Sequence, residues 1–188
     1  MALKLCCVFK SSVRFKKITI ALFVVTALVF AGFAGIKRVF PLKYEDVIDH
    51  YADKYNLSDE LLMGVICAES KFDTMAHSGK AMGLMQITDE TAKWICDQLN
   101  MEYSEDMLYI PETNIKMGSY YLSYLIDHYC NTETALAAYN AGMGNVTKWL
   151  GDERYSVDKV TLSDIPYGET KRYVQRVKKL QKIYEFIY

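Results

Sequence analysis

Glu69 is a carboxylate at the end of an apolar helical stripe. Leu62, Val65 and Ile66 precede it by seven, four and three residues, which is the spacing of one face of an α-helix. Because a carboxylate among apolar groups loses hydration, we expect its pKa to rise from ~4.3 toward ~6. A carboxyl group that stays protonated near neutral pH can protonate a leaving group. Glu69 is therefore a candidate general acid, although a glutamate at a helix C-terminus can also simply point into water.

Three further motifs follow the Glu69–Ser70 pair. Residues 83–87 read Gly-Leu-Met-Gln-Ile, residues 137–142 read Ala-Ala-Tyr-Asn-Ala-Gly, and residues 165–170 read Ile-Pro-Tyr-Gly-Glu-Thr and lead into Tyr173 and Val174. This ordered set resembles the catalytic domain of the soluble lytic transglycosylases, a lysozyme-like family that cuts bacterial peptidoglycan. The resemblance extends from about Tyr44 to the C-terminus. Four motifs in the same order with compatible spacing rarely coincide by chance.

The resemblance assigns roles to individual residues. It makes Glu69 the single catalytic acid and implies that the following residues bind substrate or support the site: Ser70, Ser78, Gln86, Tyr139, Asn140 and Glu169. Ser70 would orient the carboxyl group, and Gln86 offers two donors and an acceptor to sugar hydroxyl and N-acetyl groups. Gly83 is expected where backbone approaches a ligand closely. Tyr139 would position the reacting sugar, whereas for Asn140 and Glu169 a structural role competes with substrate contact.

The number of carboxylates distinguishes two mechanisms. A glycosidase that uses water normally needs a pair of carboxylates, and Asp73, Asp89 and Glu169 are the nearest options, none of them compelling. The resemblance implies a non-hydrolytic cut that needs no second carboxylate and no cofactor. The muramic 6-hydroxyl attacks its own anomeric carbon, which leaves a 1,6-anhydro end. A hydrolytic muramidase of the same fold and a non-catalytic peptidoglycan-binding domain are the alternatives.

The N-terminal segment predicts a membrane anchor. Residues 1–43 contain eight basic residues and no acidic one, and the uncharged stretch 18–36 nearly spans a ~30 Å hydrocarbon core. Five of the cations precede this stretch and three follow it, which places the N-terminus in the cytoplasm. We therefore expect a basic cytoplasmic segment (1–17), a signal anchor (18–36), a stalk (37–43) and an extracytoplasmic catalytic domain (44–188). A signal peptide cut near Ala34 is the alternative, and a secreted protein would then result.

Charge restricts the partners of the catalytic domain. Residues 44–188 contain 14 basic and 23 acidic residues, a net charge of −9. Because phosphate backbones bind basic surfaces, we do not expect this domain to bind nucleic acid. The same acidity opposes capture by bulk charge on an anionic cell wall. Glycan strands must therefore be recognised in a local cleft.

The hydrophobic periodicity predicts an all-α domain. Ser58 should cap the helix that ends near Glu69, Thr88 or Asp89 the next helix, and Thr132 or Thr134 the helix through Tyr139. Pro111 should begin a long helix and Gly142 should end the Tyr139 helix. Residues 71–81 are expected to form a loop without a β-hairpin. The odd cysteine count predicts no disulfide framework, although a Cys96–Cys130 bridge remains open.

Overall fold

The computed structural model describes the backbone of residues 2–188 and the side chains of residues 19, 20 and 22–188. The chain divides into two units, residues 1–41 and residues 42–188. The first unit contains helix α1 (Ala2–Val39), in which the 18 residues Leu22–Val39, with a mean hydropathy of 1.8, are long and apolar enough to cross a membrane. The five cations predicted to precede the span, together with Cys6 and Cys7, lie outside the residues whose side chains are described.

The second unit is predominantly helical, which confirms the predicted fold class. Its helices are α2 (Glu45–Tyr55), α3 (Asp59–Glu69), α4 (Asp89–Leu99), α5 (Pro111–Tyr129), α6 (Thr132–Ala141), α7 (Met143–Leu150) and α8 (Gly168–Ile187), with a 3-10 turn at Glu105–Tyr109. Residues 151–167, between α7 and α8, form turns and irregular backbone. Glu69 is the last residue of α3, so the chain leaves this helix at the candidate acid.

A small antiparallel sheet contradicts the prediction that residues 71–81 form only a loop without a hairpin. Strands β1 (His77–Ser78), β2 (Ala81–Met82) and β3 (Ile87–Thr88) pair in that order. The turn between β1 and β2 has Gly79 at its first position with a φ of +61°, which suits a two-residue hairpin loop. Strands of two residues contain no alternating pattern, so periodicity could not reveal them.

Side chains close in sequence cap the N-terminal ends of three helices. The Ser58 side chain accepts a hydrogen bond from the Leu61 N–H, and the Thr88 side chain accepts one from the Thr91 N–H, so both predicted caps are confirmed. The predicted cap of α6 was wrong: Asn131 precedes Thr132, and its Oδ1 accepts from the Thr134 N–H at 2.9 Å. Asparagine is at least as good an N-cap as threonine, which explains the shift of one residue.

The packing of α3 against α8 positions the candidate acid. This is the most extensive contact between any two elements in residues 42–188. Gly64 permits it, because a Cβ there would lie 3.2 Å from the Val177 carbonyl oxygen and 3.1 Å from the Gln181 nitrogen. Leu62, the first residue of the predicted stripe, is fully buried in the same helix. The end of α3 is therefore held against the first turns of α8.

Candidate active site

Glu69 lies half-buried at the C-terminal end of α3. Loss of hydration is the largest influence on its carboxyl group and raises the pKa from 4.5 to about 7. The predicted upward direction of the shift is therefore confirmed, and the pKa of about 7 is higher than the expected ~6. At neutral pH the carboxyl group is divided between its protonated and ionised forms, so it can act as an acid and then as a base.

Two residues of α8 face this carboxyl group and oppose the effect of burial. Tyr173 and, to a lesser degree, Arg176 lower the pKa of Glu69. The Tyr173 hydroxyl is buried, and no described residue gives it a hydrogen bond of standard geometry. The Arg176 guanidinium lies over the Tyr173 ring, with its carbon 5.8 Å from the ring centroid. Tyr173 and Arg176 therefore favour the ionised form of Glu69.

The sequence analysis gave neither Tyr173 nor Arg176 a role in the site. Tyr173 was identified only as a continuation of the fourth motif. Arg176 follows it by three residues, which places it on the same helical face. The signal that could have revealed both was the helix period after Glu169, combined with contact between α8 and α3.

Tyr139 belongs to the same cluster. Its ring is in α6, and the ionised Glu69 raises the pKa of both the Tyr139 and the Tyr173 hydroxyls well above 10, after the larger effect of burial. The Tyr139 hydroxyl donates a hydrogen bond to the Met85 carbonyl at 2.8 Å. Helices α3, α6 and α8 therefore bring Glu69, Tyr139 and Tyr173 together, and the second motif is tied to them through Met85.

Gln86 stabilises the loop beside the site. It adopts a left-handed φ of +48°, and its Nε2 donates to the carbonyl oxygens of Ala76 at 3.0 Å and Gly83 at 2.9 Å. Both hydrogens of the amide nitrogen are thus used within the protein, and only the side-chain oxygen is left to a sugar. The expected donation from Gln86 to substrate would require this loop to rearrange.

Gly83 approaches protein rather than a ligand, which corrects the interpretation of this motif. Its φ is +77°, and a Cβ would lie 2.1 Å from the Leu108 carbonyl oxygen and 2.3 Å from Asn114 Nδ2. Asn114 is fully buried. Its Oδ1 accepts from the Met85 N–H at 2.7 Å, and its Nδ2 donates to the carbonyls of Leu108 at 2.7 Å and Met82 at 3.1 Å. Only glycine fits at position 83, because Asn114 and the Leu108 carbonyl occupy the space that a side chain would need.

The sequence analysis also missed Asn114. Two hydrogen bonds of its buried amide hold residues 82–85, the segment whose Met85 carbonyl receives the Tyr139 hydroxyl, and a third joins this segment to the Leu108 carbonyl. An asparagine next to Ile115, near the start of a helix with an apolar stripe, was the available signal, because buried polar side chains require partners.

The two predicted serines, Ser70 and Ser78, have different environments. Ser70 is the C-cap of α3, and its hydroxyl donates to the Ile66 carbonyl at 3.1 Å, so it secures the helix end that carries Glu69. Ser78 is exposed on β1. Ser78 is therefore accessible to a ligand, whereas Ser70 acts through the backbone.

Asn140 and Glu169 share a cavity of about 560 Å³. Both side chains are exposed, Asn140 at the end of α6 and Glu169 in the first turn of α8. Pro166, Tyr167 and Thr170 also line this cavity. Glu169 precedes Tyr173 by four residues on α8, so the cavity lies about one helical turn from the Glu69 cluster.

No carboxylate among the described residues contributes to the pKa shift of Glu69. Asp73 is exposed, and its Oδ1 accepts the Met75 N–H at 3.0 Å within a turn. Asp89 caps no helix; it pairs with Lys93 at 2.6 Å and accepts the Tyr103 hydroxyl. The geometry around Glu69 thus provides one acid with two tyrosines and an arginine, which suits proton transfer to and from a bound sugar.

The cysteines and possible metal ligands lie outside this chemistry. Cys96 is buried and Cys130 is exposed, and both are free thiols, so the disulfide left open by the sequence is not formed. Among the side chains that the structure describes, no group of three or more His, Cys, Asp or Glu residues is placed to hold a metal ion.

Comparisons with known proteins relate this chain to one family. The Transglycosylase SLT domain family matches residues 46–161. A soluble lytic murein transglycosylase of Salmonella typhimurium is 35% identical over 147 residues, which cover 76% of this chain and 23% of the relative. A membrane-bound lytic murein transglycosylase C of Serratia proteamaculans is 27% identical over 166 residues, or 76% of this chain and 46% of the relative.

A solved structure supports the same relationship. The X-ray structure of an inactive variant of the lytic transglycosylase Slt from Pseudomonas aeruginosa aligns with a TM-score of 0.68 and 32% identity, covering 77% of this chain and 24% of that one. The chain thus spans about a quarter to a half of the length of these relatives. The matched family, the helical fold and the motifs together show that this chain belongs to the Transglycosylase SLT domain family.

Proposed function

We propose that this protein is a peptidoglycan lytic transglycosylase that cuts the β-1,4 bond between N-acetylmuramic acid and N-acetylglucosamine without water. One observation carries the proposal: Glu69 has a pKa of about 7 and no carboxylate partner among the described residues. The relatives named lytic murein transglycosylases support it. So does the Pseudomonas structure, because its inactive variant replaces a glutamate by glutamine.

Protonated Glu69 donates its proton to the glycosidic oxygen as the bond to the anomeric carbon breaks. The substrate's N-acetyl group stabilises the positive charge at that carbon, as in substrate-assisted glycosidases. Ionised Glu69 then removes the proton from the muramic 6-hydroxyl, which attacks the same carbon and closes the 1,6-anhydro ring. Because nucleophile and electrophile belong to one sugar, the effective concentration of the hydroxyl is high.

The surrounding residues support these two proton transfers. Tyr173 and Arg176 stabilise the ionised form of Glu69 after the first transfer, and Tyr139 closes the site on the side of Met85. Ser70 fixes the end of α3, whereas Ser78, Gln86, Asn140 and Glu169 contact the glycan strand. The cavity between Asn140 and Glu169 supports this assignment because it lies about one helical turn from the Glu69 cluster.

The product identifies the mechanism. Digestion of purified peptidoglycan in water enriched in heavy oxygen should give fragments that end in 1,6-anhydro-N-acetylmuramic acid, each one water lighter than a muramidase product and without label. Labelled reducing ends would show that water is the nucleophile and that the enzyme is a hydrolytic muramidase. Glu69→Gln should give no product of either kind, while Asp73→Asn should cleave normally.

We further propose that α1 anchors the catalytic domain at the outer face of the cytoplasmic membrane. The N-terminal span and the resemblance to a membrane-bound relative support this arrangement. Residues 1–17 would lie in the cytoplasm, 18–36 in the membrane, 37–43 would form a stalk and 44–188 would reach the wall. Cell fractionation should find the intact chain in the membrane, and protease added outside should degrade residues 44–188. A chain beginning near Gly35 in the medium would show signal cleavage instead.

A further inference from the structure

The exposed side of the C-terminal half of α8 is basic and ends in an aromatic side chain. Lys179, Lys182 and Phe186 are separated by three and four residues, so they share one face of the helix. All three are exposed, Phe186 to 79%. The opposite side of α8 is buried in the domain. We refer to Lys179, Lys182 and Phe186 as the α8 face.

The charge of the α8 face is not neutralised within the domain. Neither of its lysines forms an ion pair with a carboxylate among the residues that the structure describes. Two other lysines of the same helix are paired: Lys171 lies 2.6 Å from the Asp164 carboxylate, and Lys178 contacts Glu133. Helix α8 contains six basic and two acidic residues, whereas residues 44–188 have a net charge of −9. Because the rest of the domain is acidic, an anionic surface attracts this face and repels the others.

The link between the apolar span and the catalytic domain is short. Helix α1 ends at Val39 and α2 begins at Glu45, so only residues 40–44 join them. Five extended residues reach at most ~18 Å, whereas α8, with 20 residues, is ~30 Å long. With α1 in the membrane, as proposed above, the domain stays near the membrane surface at a high effective concentration. A contact that is weak in itself is then sufficient to hold one face of the domain there.

Phe186 favours a lipid surface over a hydrated polyanion as the partner. A polyanion would pair with the two lysines but leave the phenyl ring in water. A bilayer interface binds the lysines through its phosphate groups and buries the ring below them. Tyr188, two residues further on, is also exposed, and tyrosine is enriched at membrane interfaces. The composition of the α8 face is therefore that of a helix face bound to a membrane surface.

We infer that the α8 face docks the catalytic domain on the anionic phospholipid headgroups of the membrane that α1 crosses. The inference rests on the proposed function, because it assumes the anchor. Phe186 enters the boundary between headgroups and acyl chains, and the lysines bind the phosphates. Arg176, which faces Glu69, precedes Phe186 by ten residues, or about 15 Å along α8. Docking thus holds the candidate active site at a fixed, short distance from the membrane.

Quenching of an added tryptophan by brominated lipid measures the contact. The full chain is inserted into vesicles of brominated phosphatidylglycerol, and the emission of Trp94 and Trp149 is subtracted with the wild type. Phe186→Trp should be quenched. Val157→Trp is the matched control and should not be, although Val157, between α7 and α8, is 86% exposed.

The same experiment separates the docking from the anchor. Chains that float with the vesicles but show no quenching in Phe186→Trp, or as much quenching in Val157→Trp, would overturn the docking and leave the anchor intact. Chains that do not float with the vesicles would overturn both.

Two pairs of lysine substitutions in the Phe186→Trp chain test the role of charge. Lys179→Gln with Lys182→Gln should lower the ratio of docked to undocked domains about thirtyfold, which corresponds to about 2 kcal/mol. Lys171→Gln with Lys178→Gln makes the same change of charge on the same helix but removes lysines that already have acidic partners, so quenching should persist. Brominated phosphatidylcholine, which has no net charge, should quench much less. Equal effects of the two pairs, or equal quenching by the two lipids, would show that anionic headgroups are not the partner.

The anionic cell wall is the competing partner for the α8 face. Sedimentation with purified peptidoglycan tests it, with Glu69→Gln chains in detergent micelles so that the polymer is not cut. The Lys179→Gln and Lys182→Gln pair should sediment as much as the Lys171→Gln and Lys178→Gln pair. A loss of sedimentation confined to the first pair would assign the face to the wall and overturn docking on the membrane.

Discussion

Replacing Glu69 by glutamine should abolish cleavage and make the protein more stable at alkaline pH. The folded state holds the Glu69 proton with a pKa of about 7, whereas the ordinary value is 4.5. Between these values the folded state binds more protons than the unfolded state, so stability falls as pH rises. An amide of similar shape avoids this loss because it never ionises. The gain should therefore be small near pH 4 and complete above pH 7.

The size of the gain follows from the shift in pKa. At about 1.36 kcal/mol per unit, a shift from 4.5 to about 7 corresponds to roughly 3 kcal/mol at pH 8. The same linkage leaves less than about 1 kcal/mol at pH 5. For a domain of this size the full gain corresponds to an increase in Tm of roughly 6–12 °C. An effect of this size is easy to distinguish from that of an ordinary surface substitution.

Thermal unfolding of wild type and Glu69→Gln, followed by near-ultraviolet circular dichroism from pH 4 to pH 8, measures the gain. Glu102→Gln is the matched surface control, because Glu102 is exposed in the segment between α4 and the 3-10 turn. Equal stability of wild type and Glu69→Gln at pH 8 would mean that the carboxyl group is well solvated. A larger difference at pH 4 than at pH 8 would show that the direction of the pKa shift is wrong.

Four other outcomes follow from the same contacts. In wild type, kcat/KM should decrease above pH ~7 as the acid ionises. Tyr173→Phe and Arg176→Met should each shift this decrease to higher pH, because both residues lower the pKa of Glu69. A decrease at the same pH as in wild type would show that the replaced residue does not act on Glu69. Gly83→Ala should prevent stable folding, because its Cβ would overlap the Leu108 carbonyl, whereas Gly79→Ala, with open space, should cost only about 1 kcal/mol in urea unfolding. Asn114→Ala should cost about 3–5 kcal/mol, because it leaves three buried backbone groups unpaired; a loss below 1 kcal/mol would show that water replaces the amide.

The sequence predicted what depends on local patterns. Helix periods and capping residues gave the helical fold, the caps at Ser58 and Thr88, and the helix start at Pro111. The apolar stripe before Glu69 predicted the direction of its pKa shift, because neighbours three, four and seven residues away are fixed by the helix. These features need no knowledge of which helices meet.

Contacts between distant segments could not be predicted in the same way. The clamp of Asn114 on residues 82–85 joins positions about thirty residues apart, and Arg176 reaches Glu69 only because α8 packs on α3 at Gly64. Gln86 was expected to donate its amide hydrogens to a sugar, but in the structure they are hydrogen-bonded to the backbone carbonyls of Ala76 and Gly83. A motif identifies a residue type, but competition for its hydrogen bonds is decided by the fold.

The catalytic value of the cluster lies in opposing influences on one carboxyl group. Burial alone would push the pKa of Glu69 higher and leave a poor proton donor and no usable base at neutral pH. A well-hydrated carboxylate would ionise near its ordinary value and have no proton to give. Tyr173 and Arg176 lower the pKa against the larger effect of burial, and the balance settles at about 7. A single residue that must first donate a proton and then recover one needs this intermediate value, since both forms must be accessible at the working pH. The two residues on α8 therefore adjust the pKa of the acid that the sequence motif identifies.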